Sequence, residues 1–201
     1  LTERTSLFFE YLQQGKYAEA IQLTSAAFQS KFTATTLQNW WTQSGWSRIK
    51  SMGTPVIKER NLVHQTVEIP AATEGTTIPL LLKFTPGGKV DEVGERSPEE
   101  YFTIPHPSYD QPDSYQEREI VIGNSTYPLP ATLTIPKYKR GDKLPVVVLF
   151  HGSCIHDRAR TYMGTKSLRA IAVGLSSNGI SVLRSEKRTL EHALKISTEP
   201  V

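Results

Sequence analysis

The chain has 201 residues, 38% hydrophobic and 21% charged, a composition that suits one large or two small globular domains. A formal net charge of +3 does not by itself argue for a polyanionic partner, and no apolar run approaches the roughly 20 residues that cross a bilayer. The single cysteine, Cys154, excludes an internal disulfide, which fits a reducing compartment or an export route whose products lack disulfides. Charge is uneven all the same. Between Lys137 and Lys195, 12 Lys and Arg stand against 4 Asp and Glu, a local excess of +8. No aromatic residues interleave with these charges as a single-strand binder needs, so a solvated basic face is expected and no nucleic-acid partner. Leu1 is not an initiator methionine and no leader pattern follows it, as expected of a mature or trimmed product.

Residues 1 to about 50 carry helical spacing. Leu7, Phe8, Tyr11 and Leu12 form one stripe that ends at Gly15. Tyr17, Ile21 and Phe28 share a face of a second helix. Thr35 with Gln38 fits a capping box for a third, which carries Leu37, Trp40 and Trp41. Those tryptophans with Trp46 are expected in the core. From about residue 54 the period becomes two. Val63, Val67 and Ile69 alternate with His64, Thr66 and Glu68, which places His64 on a polar strand face. Ile78, Leu80, Leu82 and Phe84 alternate in the same way, and Pro86-Gly87-Gly88 turns the chain into Lys89 to Val93. Residues 1–96 therefore read as an α+β domain, three helices on a curled antiparallel sheet.

Pro98, Pro105, Pro107 and Pro112 mark residues 97–116 as an extended proline-rich linker. His106 lies in it. Glu117 to Ile122 and Tyr127 to Ile135 then flank Gly123-Asn124-Ser125 as a hairpin, followed by the apolar strand that Pro145 opens. The helical stripe Leu168, Ile171, Ala172 and Leu175 ends at Asn178-Gly179, and Ile180 to Leu183 is a second short apolar strand. Strand, helix, strand predicts a βαβ unit in a parallel sheet, so residues 117–201 read as a partial α/β sheet.

Ligands of open parallel sheets sit beyond the strands' carboxyl ends, where His151 to Arg158 falls. A phosphate loop is not spelled there: Gly152 is too far from Gly164-Thr165-Lys166-Ser167, and Thr165 separates the Gly from the Lys. His151, His156 and Asp157 lack a recognised metal spacing, and no cofactor or metal is implied. The third chemistry is an oxyanion hole, in which backbone N–H groups stabilise the charge of acyl transfer; one comes from the loop after the third strand. His151-Gly152-Ser153-Cys154 occupies that slot, with Gly152 allowing close approach of the backbone.

The stretches PLPATLTIPK, LPVVVLFHGS, LSSNGI and SVLRSEKRT make residues 117–192 resemble the amino-terminal part of a bacterial α/β-hydrolase of the esterase or serine-aminopeptidase type. The resemblance implies His-Gly-Ser-Gly, then Asp-Arg, then an Arg-Tyr-Asp-Lys-Arg-like strand end. The chain keeps His151, Gly152, Ser153, Asp157, Arg158, Arg184, Lys187 and Arg188. It departs at Cys154, where glycine is usual, and at Ser185 and Glu186, where Tyr-Asp is usual. By element order, the first hundred residues resemble the small cone-like domain, shaped like nuclear transport factor two, found ahead of such hydrolases.

That chemistry needs a serine on a Gly-x-Ser-x-Gly elbow, then an acid, then a histidine. Gly45-Trp46-Ser47, Gly123-Asn124-Ser125 and Gly174-Leu175-Ser176 all lack the second glycine. His192 precedes any such nucleophile and is expected on an exposed helix or tail. Cys154 with His156 and Asp157 is the one local substitute, and a small packed side chain is the plainer reading. Arg158, Arg184, Lys187 and Arg188 are expected to gather at the strand ends, buttressed through Asp157 and Glu186. The expectation is the front of a serine hydrolase whose parent cleaves a small-molecule ester or amide. This piece would supply an oxyanion-hole loop and no nucleophile, would be inactive alone, and would pair as a homodimer through an open sheet edge. A secreted or cell-envelope location is what the resemblance implies, with a cytoplasmic one left open. The alternative is a non-enzymatic protein that binds a ligand or partner in its cone-like domain.

Overall fold

The computed structural model describes residues 1–95, 104–137 and 143–196. The chain divides into two compact units, Leu1–Arg96 with Ala193–Val201, and Ser97–His192.

In the first unit, α1 (Thr2–Gln13) stops where Gly15, at φ +72°, takes the left-handed conformation that a Cβ disfavours. Lys16 N–H then donates to Tyr11 O at 2.8 Å and Gly15 N–H to Leu12 O at 3.2 Å, which satisfies the helix's last carbonyls. The expected second helix is two, α2 (Tyr17–Gln22) and α3 (Ala26–Gln29). Ser25 separates them: its hydroxyl accepts the Phe28 N–H at 3.1 Å and starts a new helix. The capping box of α4 (Ala34–Gln43) also differs from expectation. Thr33 and Thr36 form it, two residues before the Thr35–Gln38 spacing, because a threonine hydroxyl answers the cap N–H as well as a glutamine does.

The sheet comprises β1 (Ser51–Met52), β2 (Val56–Arg60), β3 (Gln65–Ala72), β4 (Thr77–Phe84) and β5 (Val90–Glu95), all antiparallel. Register shifts at Ile57/Glu59 and Lys83/Phe84 bend it. Val67 faces Leu82 and Ile69 faces Leu80 across β3 and β4. These four pack with Phe8, Phe9, Leu12, Phe28, Leu37 and Trp41 into one core, each fully buried or nearly so. Burial of side chains this size contributes about 1.5–3 kcal/mol apiece. Trp46 joins them, edge-on to Trp40 at 5.0 Å between ring centroids.

The polar face of β3 is not a solvated one. Thr66, Glu68 and His64 are buried. His64 Nε2 lies 2.9 Å from Asp91 Oδ2, and the Ser25 hydroxyl donates to Asp91 Oδ1. A single carboxylate thus ties the start of α3, the approach to β3 and strand β5 together.

The second unit holds β6 (Tyr115–Gly123), β7 (Pro128–Pro136), β8 (Val146–Leu149), the short pair β9 (Thr161–Tyr162) and β10 (Thr165–Lys166), helix α5 (Ser167–Ser177), β11 (Ser181–Ser185) and α6 (Arg188–Glu191). The main sheet runs β6-β7-β11-β8. β6 and β7 form a hairpin, turned by Gly123 at φ +90°, where a Cβ would meet the Tyr127 carbonyl at 2.4 Å. β8 and β11 are parallel and α5 connects them. Residues 104–114 fasten to this unit: Gln111 N–H donates to Ser177 Oγ at 3.1 Å, and the Tyr115 hydroxyl donates to Asp110 Oδ1 at 2.6 Å. Pro98 and the rest of 97–103 lie outside the described residues. Ala193–Ile196 forms α7 and belongs to the first unit.

Burial pushes the Asp91 carboxyl up, but the hydrogen bonds from His64 and Ser25 outweigh it and hold the group near 2, below its ordinary 3.8. Its folded value lies below the unfolded one, so the ionised carboxylate contributes stability that is complete above about pH 4 and lost as pH falls toward 2. The expected contribution is about 2 kcal/mol. Urea unfolding measured between pH 2 and pH 6 should show this slope, and Asp91→Asn should flatten it while lowering stability at neutral pH.

Candidate functional site

The site begins with the parallel pairing of β8 and β11. Val146 to Leu149 stand opposite Ser181 to Arg184, so the two carboxyl ends finish side by side. His151 and Ser185 follow those ends, and His151 Nε2–H donates to the Ser185 carbonyl at 2.6 Å. The histidine therefore pins the loop to the neighbouring strand; it does not face the loop as a base. Its ring stacks on His156 with centroids 6.4 Å apart.

Gly152, Ser153 and Cys154 are exposed, so the thiol is not the packed side chain expected: the loop leaves the end of the strand before any core can cover it. Among the described residues their N–H groups make no hydrogen bond, while the carbonyls of Gly152 (2.7 Å) and Cys154 both accept from Lys187 Nζ. Because each peptide is trans, the Ser153 and Ile155 N–H groups, which follow the held carbonyls, point away from Lys187. A Cβ at Gly152 would meet nothing within 4 Å, so internal packing does not require glycine there. Cys154 is different. Its φ of +72° is left-handed, a conformation that costs an L-residue roughly 1–2 kcal/mol and glycine nothing comparable.

Behind the loop lies a charged network. Arg158 N–H and Nε donate to Glu186 at 3.1 and 3.3 Å, and its Nη1 donates to Glu119. Arg184, 4% exposed, pairs with Glu117 diagonally across β7. Desolvation lowers the Arg184 pKa, with Glu117 opposing the shift. Thr132 and Thr134 hydroxyls complete the set on Glu119 (2.8 Å) and Glu117 (3.4 Å). Buttressing by Glu186 matches expectation; Asp157 does not share it, because both its oxygens are taken by Thr161 N–H (2.7 Å) and hydroxyl (2.6 Å). Arg188 stacks over Tyr127 at 5.0 Å. The four cations are thus mostly structural and do not form a free basic cluster.

Two histidines sit otherwise than expected. His192 is buried, with Nε2–H donating to the Pro128 carbonyl at 2.7 Å and its ring against Tyr127. A short helix turned inward, which no spacing announces, accounts for it. His64 has the Asp91 partner described above. Ser176 is spent on the Ile180 carbonyl at 3.1 Å, within α5 packing. Sequence reasoning did not reach the Lys187 clamp or the Ser185 carbonyl. Both depend on a register between segments more than thirty residues apart.

No family model matches the chain, and no solved structure matches it. Among curated proteins it is similar to the esterase EstD of Thermotoga maritima, 29% identical over 190 residues. The match takes in 91% of this chain and 43% of that protein, so the chain spans less than half the length of the relative.

Replacing Cys154 by glycine should raise stability relative to Cys154→Ala by about 1 kcal/mol, since alanine keeps the left-handed strain that glycine removes. Paired denaturant curves for the two variants check this.

Proposed function

We propose that this chain is the amino-terminal portion of a serine hydrolase that cleaves a small-molecule ester or amide through an acyl-enzyme. In it, the His151–Cys154 loop supplies one half of the oxyanion hole through the Ser153 or Cys154 amide. The observation that carries the reading is this loop: exposed residues whose amides have no hydrogen bond among the described residues, directly after the third strand of the second unit and before its first helix, where acyl-transfer chemistry places one of its two donors. Similarity to an esterase supports the same reaction class. His151 and Lys187 are positioning residues in this scheme. They hold the loop while the nucleophilic serine, acid and base come from sequence outside these residues. The first unit is then the small α+β domain that precedes the hydrolase sheet.

A longer protein carrying these residues should hydrolyse p-nitrophenyl acetate, whereas the 201-residue chain alone should give no turnover above a Ser153→Ala, Cys154→Ala control. In the longer protein, Ser153→Pro, which removes the Ser153 N–H, should lower kcat by about 10²-fold or more with little change in KM, the pattern of a lost transition-state contact. Absence of ester and amide hydrolysis in the longer protein would remove the reading.

β8 ends the second unit's sheet with Val146 and Val148 exposed and Phe150 83% exposed beyond it. Such an edge recruits a strand. We propose that the neighbouring strand of the longer protein takes this place, and that two copies of the chain pair there when it is absent. Light scattering should then give a dimer for the 201-residue chain and a monomer for Val148→Lys.

A further inference from the structure

The residues that spell an imperfect phosphate loop, Gly164-Thr165-Lys166-Ser167, have a place of their own. With Arg169 and Ala170 they line a cavity of about 480 Å³ whose other wall is Ile104-Pro105-His106-Pro107. We infer that this cavity binds the oxyanion group, carboxylate or phosphate, of a small ligand.

The wall is built and not a chance crevice. The chain from 104 runs along α5 and is tied to it at intervals. The Tyr109 ring lies where a Cβ on Gly174 would meet it at 3.1 Å, and Gln111 bonds Ser177 further on. The opposite wall is held by the β9–β10 pairing and by Leu168 N–H donating to the Ala159 carbonyl at 3.1 Å. Prolines 105 and 107 stiffen the approach.

The charge on these walls is one-sided. Lys166 and Arg169 line the cavity, and among the described residues neither has an acidic partner within ion-pair distance. Two arginines elsewhere in the unit, Arg158 and Arg184, are by contrast paired with glutamates. Among the described residues no carboxylate lines the cavity. The Asp110 side chain is 1% exposed and lies 2.7 Å from His106 Nδ1. Asp110 also accepts the Tyr115 hydroxyl, and Arg169 Nη1 lies 3.5 Å from His106 Nδ1, so the charge of the carboxylate is felt by Arg169 as well. The Asp110 bond fixes the His106 ring, and among the described residues Nε2 has no partner. Two cations, an oriented imidazole and the Ser167 hydroxyl therefore line one space, and among the described residues no carboxylate is exposed to it. Guanidinium and ammonium donors in this arrangement select oxyanions. Ile104, Pro105, Pro107 and Ala170 offer contact to a small apolar body attached to one.

The test is titration of the 201-residue chain with inorganic phosphate and, separately, with butyrate at constant ionic strength, followed by amide chemical shifts. Saturable shifts confined to residues 104–107 and 164–170 are expected with at least one probe. Phosphate alone would identify a phosphorylated ligand class, and butyrate a carboxylate. Arg169→Gln and Lys166→Gln should each weaken binding about tenfold or more, as loss of one charge-assisted contact does, while Lys137→Gln leaves it unchanged. If Arg169→Gln fails to fold, Lys166→Gln decides. Absence of saturable shifts with both probes, or equal weakening by Lys137→Gln, would overturn the inference.

Discussion

Everything at the strand ends follows from one pairing, the parallel ladder between Val146–Leu149 and Ser181–Arg184. Parallel strands cannot be joined by a tight turn. They need a crossover, here α5 with the small pair before it, and that crossover returns both strands pointing the same way. The exits of both strands therefore lie together. A histidine two residues past one exit meets the carbonyl at the end of the other, and a lysine two residues past that carbonyl reaches back to the loop. Shift the ladder by one residue and His151 loses Ser185, Lys187 loses Gly152, and the amides lose their fixed direction.

The two units handle buried charge in opposite ways. In the first, one carboxylate is stabilised by two neutral or titratable donors, Ser25 and His64, with hydrogen bonds outweighing desolvation. In the second, Arg184 and Arg158 meet Glu117, Glu119 and Glu186 in a network that threonines complete. Removing one member of either set would leave a buried group unmatched, which costs more than the pair itself contributes. Asp91 and Arg184 are thus organisers of their surroundings more than contributors of net attraction.

Elements whose periodicity is strong were legible in the sequence: the Leu7–Leu12 stripe, the alternation in β3 and β4, the hairpin around Gly123, and the strand–helix–strand run ending at β11. The strand-end loop was legible too, because glycine beside histidine after an apolar strand is a local signal. What stayed hidden depends on distance in sequence. His64 finds Asp91 27 residues on, Arg158 finds Glu119 39 residues back, and His192 finds Pro128 64 residues back. No local pattern encodes such meetings, so polar residues read as surface turned out to be interior. The break at Ser25 was hidden for another reason: a serine inside an apolar stripe is compatible with a helix until its hydroxyl takes the cap.

Cys154 carries the chain's only thiol, and it is exposed on the loop that the lysine holds. A maleimide dye or nitroxide therefore attaches at one defined place without any engineering. The attached probe would sense local tumbling and polarity beside the amides at the end of β8, and so would report directly when another molecule or chain segment settles against them.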